Sequence, residues 1–457
     1  MNLTFNDYLA GLRGKRVAAL GFGISNRPLV SLLLGAGAEV TVRDKAPRES
    51  LGGAAAEYEA RGARFVCGAD YLAGLDDDVI FRSPGIMPHT PELAAAVARG
   101  AALTGETEAF FETAPCRIIA VTGSDGKTTT ATLIAEMLKR AGKTVWLGGN
   151  LGTPLLQYVP EMTADDVAVV ELSSFQLMTM TKSPAVAVVT NCAPNHLDLH
   201  RDLEEYYAAK TNIFRFQTAG DRAVLNLDNA VTRGFADGAP GAVTFFSRRA
   251  EPAGGVFVRG GVIYDGDEAV LDTAEIRVPG AFNVENFCAA IAAVRGLADK
   301  SAVLMAARSF TGVAHRIELV RELRGVKYYN HSIASSPART AVGLETFPDR
   351  VILIAGGKDK GIPYGDLGAP VVKHVKKLVL TGMTADKIRA AVESCPDYRG
   401  EPEIFTVPEF EKAVAAAHAL ARPGDTVLLS PASTSFDRFK NFEERGDYFR
   451  KLVEELE

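Results

Sequence analysis

Short apolar runs alternate with amphipathic runs along most of the chain. The apolar runs have the length of strands, and the runs between them space their apolar residues like helices. Strands that alternate with helices predict parallel sheets connected by crossover helices. We therefore predict an α/β protein.

Three strands followed directly by glycines indicate three structural units. They are KRVAALGFGISNRP near residue 16, CRIIAVTGSDGKTTT near 117 and RVILIAGGKDKG near 350. We place the domains at 1–106, 107–312 and 313–457. Residues 255–280 alternate at period two between glycine turns, which predicts a small antiparallel excursion before a helix.

Composition favours a globular protein and argues against nucleic-acid binding and membrane insertion. The 457 residues are 47% apolar and 23% charged, an ordinary globular balance, and the net charge of -6 gives no basic surface for nucleic acid. Neither a signal peptide nor an apolar run near the ~20 residues of a membrane span is evident. The five cysteines are scattered without a CxxC pair. We expect a cytoplasmic protein with no membrane insertion and no disulfide or zinc framework.

The segment TGSDGKTTT, residues 122–130, lies between a predicted strand and a predicted helix. It is shorter than the full GxxxxGK[ST] phosphate loop, because Val121 stands where the first glycine belongs. Its chemistry remains: backbone N–H groups surround phosphate oxygens, Lys127 supplies a positive charge and the Thr128 hydroxyl can bind Mg²⁺. The alternative is a glycine turn with a surface lysine, but the strand–loop–helix order favours a nucleotide phosphate site.

Two further strands in this unit end in polar residues. Glu171 ends one strand, and Asn191, Asn195 and His196 follow another. The carboxyl ends of parallel strands line the ligand crevice, so Glu171 is a candidate Mg²⁺ ligand and His196 a metal ligand or substrate contact. Taken singly, each is equally compatible with capping or loop polarity. In the following helix, Lys210 considered by itself is interpreted as a surface lysine, and nothing in the periodicity marks it as special.

The first unit carries part of a dinucleotide fingerprint. In GFGISN, Gly21 and Gly23 are present, but Asn26 replaces the third glycine; Asp44 ends the next strand. A purely structural turn is equally compatible with this pattern. Ser83, in the Pro-Gly turn FRSPGI, is a candidate contact to the same ligand.

Several segments in order along the whole chain resemble the Mur ligases. They are GSDGKTT, GGNLG (148–152), ELSSFQL (171–177), NHLD (195–198), YYAAK (206–210), HRIE (315–318) and SFDRFKNFEERG (435–446). The resemblance implies three domains: a Rossmann-like UDP-binding domain, a central P-loop ATPase-like domain with a parallel sheet, and a C-terminal Rossmann-like α/β domain.

The same resemblance implies a reaction. ATP would phosphorylate the terminal carboxylate of UDP-N-acetylmuramoyl-L-alanine, and the amine of D-glutamate would displace phosphate, in peptidoglycan precursor synthesis. Two alternatives stay open. One is a sibling ligase that uses another amino acid or a folate acceptor, and the other is a nucleotide-binding regulatory protein. We expect small-molecule substrates and a monomer.

The resemblance also implies residue roles. Catalytic roles fall to Lys127, His196 and Lys210. The implied ATP contacts are Gly123, Ser124, Asp125, Gly126, Lys127, Thr128, Thr129, Asn286 and Arg316. Two Mg²⁺ ions would be held by Thr128, Glu171, His196 and a carbamylated Lys210. The implied substrate contacts are Gly23, Ile24, Ser25, Asp44 and Ser83 around UDP, Asn150 at the muramoyl group, and Lys360, Ser435 and Phe442 on the D-glutamate or nucleotide side.

One stretch departs from the family pattern. The family's NDSKATN reads NHSIASS at residues 330–336. His331 stands where an aspartate is expected, and it mimics no carboxylate, although a neutral imidazole accepts a hydrogen bond. Ile333 stands where some members carry a lysine that bonds D-glutamate, and an apolar side chain cannot donate to a carboxylate. We expect a different grip on D-glutamate with activity retained.

Overall fold

The computed structural model describes residues 3–23, 25–194 and 199–457. The backbone divides into two compact units. One comprises the chain up to Glu275 together with Val284–Ala306, and the other comprises Ile276–Asn283 and Ala307–Glu457. Two sheets lie in the first unit and one in the second. The α/β class is confirmed. The division into three domains with boundaries at 106 and 312 stays a prediction.

The first sheet is wholly parallel, with strand order β3-β2-β1-β4-β5. Its strands are β1 Arg16–Leu20, β2 Glu39–Asp44, β3 Arg64–Cys67, β4 Val79–Arg82 and β5 Ala102–Thr104. The helices of this part are α1 Phe5–Ala10, α2 Asn26–Gly35, α3 Gly52–Ala60, α4 Pro91–Ala98 and α5 Glu106–Thr113. The strand order reverses between β1 and β4, so the loops after these strands open the crevice where ligands bind such sheets.

The second sheet has nine strands in the order β14-β13-β12-β11-β10-β9-β6-β8-β7. Its strands are β6 Arg117–Thr122, β7 Val145–Gly149, β8 Val167–Glu171, β9 Val186–Val189, β10 Arg222–Asn226, β11 Ala242–Ser247, β12 Val256–Arg259, β13 Val262–Asp265 and β14 Glu268–Asp272. The central strands β6, β8 and β9 are buried apolar runs, as expected of parallel strands covered on both faces. The pairs β12–β13 and β13–β14 are antiparallel, which is the predicted excursion.

Helices flank this sheet, and they include the one predicted after the excursion. They are α6 Lys127–Arg140, α7 Ser174–Leu177, α8 Leu203–Arg215, α9 Ala230–Gly234, α10 Ala281–Val294 and α11 Lys300–Ser309. No helix among the described residues is long and apolar enough to cross a membrane.

The third sheet has the order β15-β16-β20-β17-β18-β19. Its strands are β15 Glu318–Leu323, β16 Val326–Asn330, β17 Val351–Gly356, β18 Val375–Thr381, β19 Glu403–Thr406 and β20 Thr426–Leu429. Its helices are α12 Pro337–Leu344, α13 Gly368–His374, α14 Ala385–Glu393, α15 Phe410–Leu420 and α16 Phe442–Glu454. Only the edge pair β15–β16 is antiparallel. The neighbours β16, β20 and β17 therefore end at one edge of the sheet.

A buried carboxyl group begins α5, which connects the first sheet to the second. Glu106 is 8% exposed, and its Oε1 accepts a hydrogen bond of 2.8 Å from the Leu156 N–H. Burial raises the pKa of Glu106 from 4.5 to about 7. The folded state therefore holds a proton that the unfolded chain releases between these two values.

We expect this carboxyl group to make stability fall as pH rises. Between pH 4.5 and about 7 the folded state binds more protons, so the free energy of unfolding decreases by on the order of 3 kcal/mol. Glu106→Gln keeps a carbonyl acceptor for Leu156 and should lose this slope, whereas Glu57→Gln, at an exposed position on α3, should keep it. Urea unfolding midpoints at pH 5 and pH 8 measure the effect; an unchanged slope in Glu106→Gln would contradict it.

Candidate active site

The phosphate loop connects β6 to α6, and Asn191, after β9, supports its backbone. Gly123 and Gly126 have φ angles of 150° and 77°, which favour glycine. The Asn191 carbonyl accepts from the Ser124 N–H, and its side-chain oxygen accepts from the Asp125 N–H, both at 2.9 Å. The N-cap residue of α6 is Gly126, which has no side chain to cap the helix. The first N–H groups of α6 are therefore available to an anion.

Two lysine side chains converge on one carbonyl group of this loop. Lys127 Nζ and Lys210 Nζ donate to the Gly123 carbonyl at 3.0 and 2.9 Å. The Lys210 side chain is 1% exposed and its ammonium lies 4.4 Å from the centre of the Tyr206 ring. Burial, and secondly the charge of Lys127, lower the pKa of Lys210 to about 7. The interpretation of Lys210, considered by itself, as a surface lysine is therefore wrong.

Glu171 brings together two other predicted residues at the end of β8. Its carboxylate is 2% exposed and accepts from Thr128 Oγ1 and from Asn150 Nδ2, each at 2.7 Å. The Asn150 N–H also donates to the Glu171 carbonyl at 2.8 Å. A carboxylate beside a hydroxyl at the start of the phosphate loop is the oxygen donor set that Mg²⁺ prefers, so these residues fit that ion.

Asn286 and Thr129 also lie at the loop. Asn286 Oδ1 accepts from Thr130 Oγ1 at 3.2 Å and lies against Gly126, where an added Cβ would come within 2.5 Å of it. Thr129 is buried in the first turn of α6. Both side chains are therefore next to the N–H groups expected to meet phosphate.

At the first sheet, Asn26 ties the turn after β1 to the turn after β4. Its Nδ2 donates to the Gly21 carbonyl and to Ser83 Oγ at 2.9 and 3.1 Å. The Asp44 carboxylate accepts from the N–H groups of Phe22 and Ala46 at 2.6 and 2.8 Å. The side chain that replaces the third glycine is thus a structural link, and Asp44 shapes the same turn.

Of the three remaining predictions at the first sheet, the structure describes two. Gly23 accepts, through its carbonyl, from the N–H of Arg27, and Ser25 precedes α2. Ile24 lies outside the described residues, as do Asn195 and His196 in the second sheet.

In the second unit, the predicted substrate residues lie in loops after neighbouring strands. Lys360 follows β17 and is exposed, whereas Ser435 follows β20 and is buried. Phe442 begins α16, and its carbonyl accepts from Ser332 Oγ, after β16, at 2.8 Å. These loops meet at the edge where β16, β20 and β17 end.

His331 supports the turn that carries Arg316. Its Nδ1 accepts from the Ile317 N–H at 3.2 Å, and His315 and Ile317 have φ angles of 62° and 49°. Burial, and then the charge of Arg316, lower the pKa of His331 to about 3, so the ring is neutral near pH 7. The neutral imidazole therefore acts as the acceptor expected from the sequence and stabilises an unfavourable backbone conformation.

Comparison with known proteins agrees with this geometry. Two family models match: the Mur ligase middle domain over residues 121–294, and the Mur ligase, glutamate ligase domain, over residues 315–433. The UDP-N-acetylmuramoylalanine--D-glutamate ligases of Acetivibrio thermocellus and Ruminiclostridium cellulolyticum are 49% and 47% identical, each across all of both chains. The chain belongs to the Mur ligase family.

A solved Mur ligase structure has the same fold. The UDP-N-acetylmuramate-alanine ligase of Thermotoga maritima is 18% identical, with a TM-score of 0.59, and the match covers 96% of this chain and 99% of that one. At this identity the likeness concerns the fold alone.

Two contacts of this Mur ligase loop were not predicted from the sequence. Thr190 Oγ1 donates to the Asp125 carbonyl at 2.6 Å, and the Tyr206 hydroxyl lies 2.9 Å from Ser124 Oγ. Tyr206 stands one helical turn before Lys210, which is a usable signal because residues at that spacing share a helix face. Thr190 has no comparable signal beyond its place at the end of β9.

We expect Gly123→Ala to weaken ATP binding by about ten- to a hundredfold, because overpacking costs roughly 1–3 kcal/mol. A Cβ at this position would lie 1.9 Å from Thr190 Oγ1 and 3.1 Å from the Asn191 carbonyl oxygen. Titration calorimetry with ATP measures the effect.

Gly142→Ala is the matched control for this loss. Gly142 also has a positive φ, 77°, but an added Cβ there meets no atom within 4 Å. The control should bind ATP normally. Equal losses in the two variants would contradict a specific effect at the loop.

Proposed function

We propose that the chain is an ATP-dependent ligase that joins D-glutamate to UDP-N-acetylmuramoyl-L-alanine during cytoplasmic synthesis of peptidoglycan precursors. The observation that carries the proposal is the convergence of Lys127 and Lys210 on the Gly123 carbonyl, beside the Glu171 carboxylate. Here Lys127 opposes the negative charge of a phosphate, and Glu171, together with a carbamate on Lys210, would hold the metal ions. The names of two full-length relatives supply the substrates.

The reaction requires two displacements. An oxygen of the substrate carboxylate attacks the γ-phosphorus of ATP, so that an acyl phosphate forms and ADP leaves. The neutral amine of D-glutamate then attacks the acyl carbon and loses a proton. The C–O bond to phosphate breaks, which leaves an amide and inorganic phosphate. No protein nucleophile is needed.

In the first displacement, the protein neutralises the negative charge of the ATP phosphates and orients the γ-phosphate. Lys127 and the first N–H groups of α6 hold the phosphate oxygens of ATP. Thr128 and Glu171 would hold Mg²⁺, which supplies Lewis-acid stabilisation of phosphoryl charge. A second ion at His196 and Lys210 belongs to the same proposal. Asn286 and Arg316 are the proposed contacts to the rest of the nucleotide.

We assign the remaining side chains by the same reasoning. UDP lies in the crevice of the first sheet, at Gly23, Ile24, Ser25, Asp44 and Ser83, and Asn150 contacts the muramoyl group. Lys360, Ser435 and Phe442 belong to the D-glutamate or nucleotide side of the site. The protein acts on these small molecules as a monomer.

Lys210 is proposed to act as a carbamate. Its neutral amine adds to CO₂ and releases a proton, which converts a cation into an anion. The reason is structural: a buried second ammonium beside Lys127 is unfavourable, whereas an anion there pairs with Lys127 and supports a metal ion.

Phosphate release tests the function. With ATP, Mg²⁺ and UDP-N-acetylmuramoyl-L-alanine present, we expect release on addition of D-glutamate and none with L-glutamate, L-lysine or glycine. Release with a different amino acid would replace the proposal with a sibling ligase. Silence with every amine in the presence of bound ATP would favour a nucleotide-binding protein without ligase activity.

We expect Lys210→Met to lose at least about a hundredfold in kcat, because it removes the carbamate that would support the metal ion at the phosphoryl group. High bicarbonate should not restore activity. Carbon-13 NMR with labelled bicarbonate should give a carbamate signal in the unaltered protein that Lys210→Met lacks. Lys139→Met, at an exposed lysine of α6, is the control and should retain activity and signal. Full turnover by Lys210→Met would rule out the carbamate.

A further inference from the structure

The loop after β16 is hydrogen-bonded to Phe442, one of the residues proposed for the D-glutamate or nucleotide side of the site. Ser332 Oγ donates to the Phe442 carbonyl at 2.8 Å. Arg445 donates through Nε to Ser332 Oγ at 3.0 Å and through Nη2 to the Ser332 carbonyl at 2.9 Å. Residues 331–336 and the start of α12 therefore border the same part of the second unit as Phe442.

D-Glutamate presents two carboxylates, and each is best held by a cation that also donates hydrogen bonds. Lys360 supplies one such cation. Ile333 is apolar and supplies none. A second positive group is therefore required near this loop.

Two nearby arginines are already engaged by the protein. Arg445 is 2% exposed, and its guanidinium also donates to the Ser433 carbonyl at 3.1 Å. Arg438 forms an ion pair with Glu411. These contacts make both arginines structural, and neither is a good candidate for the substrate.

Arg339, in the first turn of α12, is differently placed. It is exposed, and its Nη1 donates to the Ile333 carbonyl at 3.4 Å. Within the part of the chain that the structure describes, its guanidinium forms no ion pair and no other hydrogen bond. An arginine has five N–H donors. Most of those of Arg339 are therefore available to a carboxylate beside Ile333.

The neighbouring histidine keeps this positive charge uncompensated. Burial lowers the pKa of the His331 ring, and the charges of Arg316 and Arg339 lower it further. An aspartate at this position would place an anion near the guanidinium. With a neutral imidazole there, the Arg339 charge is left for a ligand.

We propose that Arg339 binds a carboxylate of D-glutamate and sets the affinity of the enzyme for that substrate. The proposal rests on the proposed function and names a specificity-determining residue for it. Ile333 and Arg339 together then form one edge of the amino-acid pocket, in which the apolar side chain packs and the arginine carries the charge.

Steady-state kinetics of Arg339→Ala test the assignment. The loss of a charge-assisted hydrogen bond should raise KM for D-glutamate about ten- to a hundredfold. We expect kcat at saturating D-glutamate, and KM for ATP and for the UDP substrate, to stay within about twofold. Arg399→Ala removes another exposed arginine of this unit that bonds only backbone carbonyls, and it should change none of these values.

Rescue makes the test specific. Ile333→Lys in the Arg339→Ala background returns a cation to the loop and should lower KM for D-glutamate again. Arg339→Gln, which keeps bulk and donors without charge, provides a second variant if the alanine variant is unstable, and its KM should also rise.

The outcomes separate the two proposals. An unchanged KM for D-glutamate in both variants, with an active unaltered enzyme, would overturn the role of Arg339 and leave the ligase function standing. A parallel rise in KM for ATP would show a structural role and would also overturn it. Absence of D-glutamate turnover in the unaltered enzyme would overturn the ligase function, and the assignment with it.

Discussion

The convergence of two lysine ammonium groups on the Gly123 carbonyl is the constraint on which the site depends. Like charges in a buried position repel each other and lose hydration, so the arrangement is stable only with compensating dipoles or an anion. The peptide carbonyls of Gly123 and Ser124 provide those dipoles. The geometry of the loop, with two glycines at positive φ and the support of Asn191, turns those carbonyls toward the lysines and leaves N–H groups at the start of α6 for phosphate.

The three sheets share one arrangement of polar residues. In each, the loops that follow neighbouring parallel strands carry the polar side chains: after β1 and β4, after β6, β8 and β9, and after β16, β17 and β20. Buried apolar strands fix the positions of these loop ends, because packed interiors deform little. The polar side chains at each edge are thereby held in fixed positions by the sheet beneath them.

At residues 330–336, which depart from the family pattern, the surrounding backbone keeps its hydrogen bonds. A neutral His331 replaces a charged residue, but it keeps an acceptor for the Ile317 N–H and so preserves the strained turn that carries Arg316. The Ile333 side chain cannot donate a hydrogen bond, but its carbonyl accepts one from the exposed Arg339 in the first turn of α12. The hydrogen bond of a neutral side chain at position 331 is therefore sufficient to support this turn.

The sequence by itself determined the alternation of strands and helices, the antiparallel excursion and the place of the phosphate loop, because periodicity and glycine turns are local properties. It also indicated Glu171, at the end of an apolar run. Only the tertiary structure decided that Lys210 meets the phosphate loop, since its contact with the Gly123 carbonyl joins residues 87 positions apart. The tertiary structure also decided that the Asp44 carboxylate accepts a hydrogen bond from the N–H of Phe22. It likewise decided that the Arg339 guanidinium forms no ion pair with any described residue.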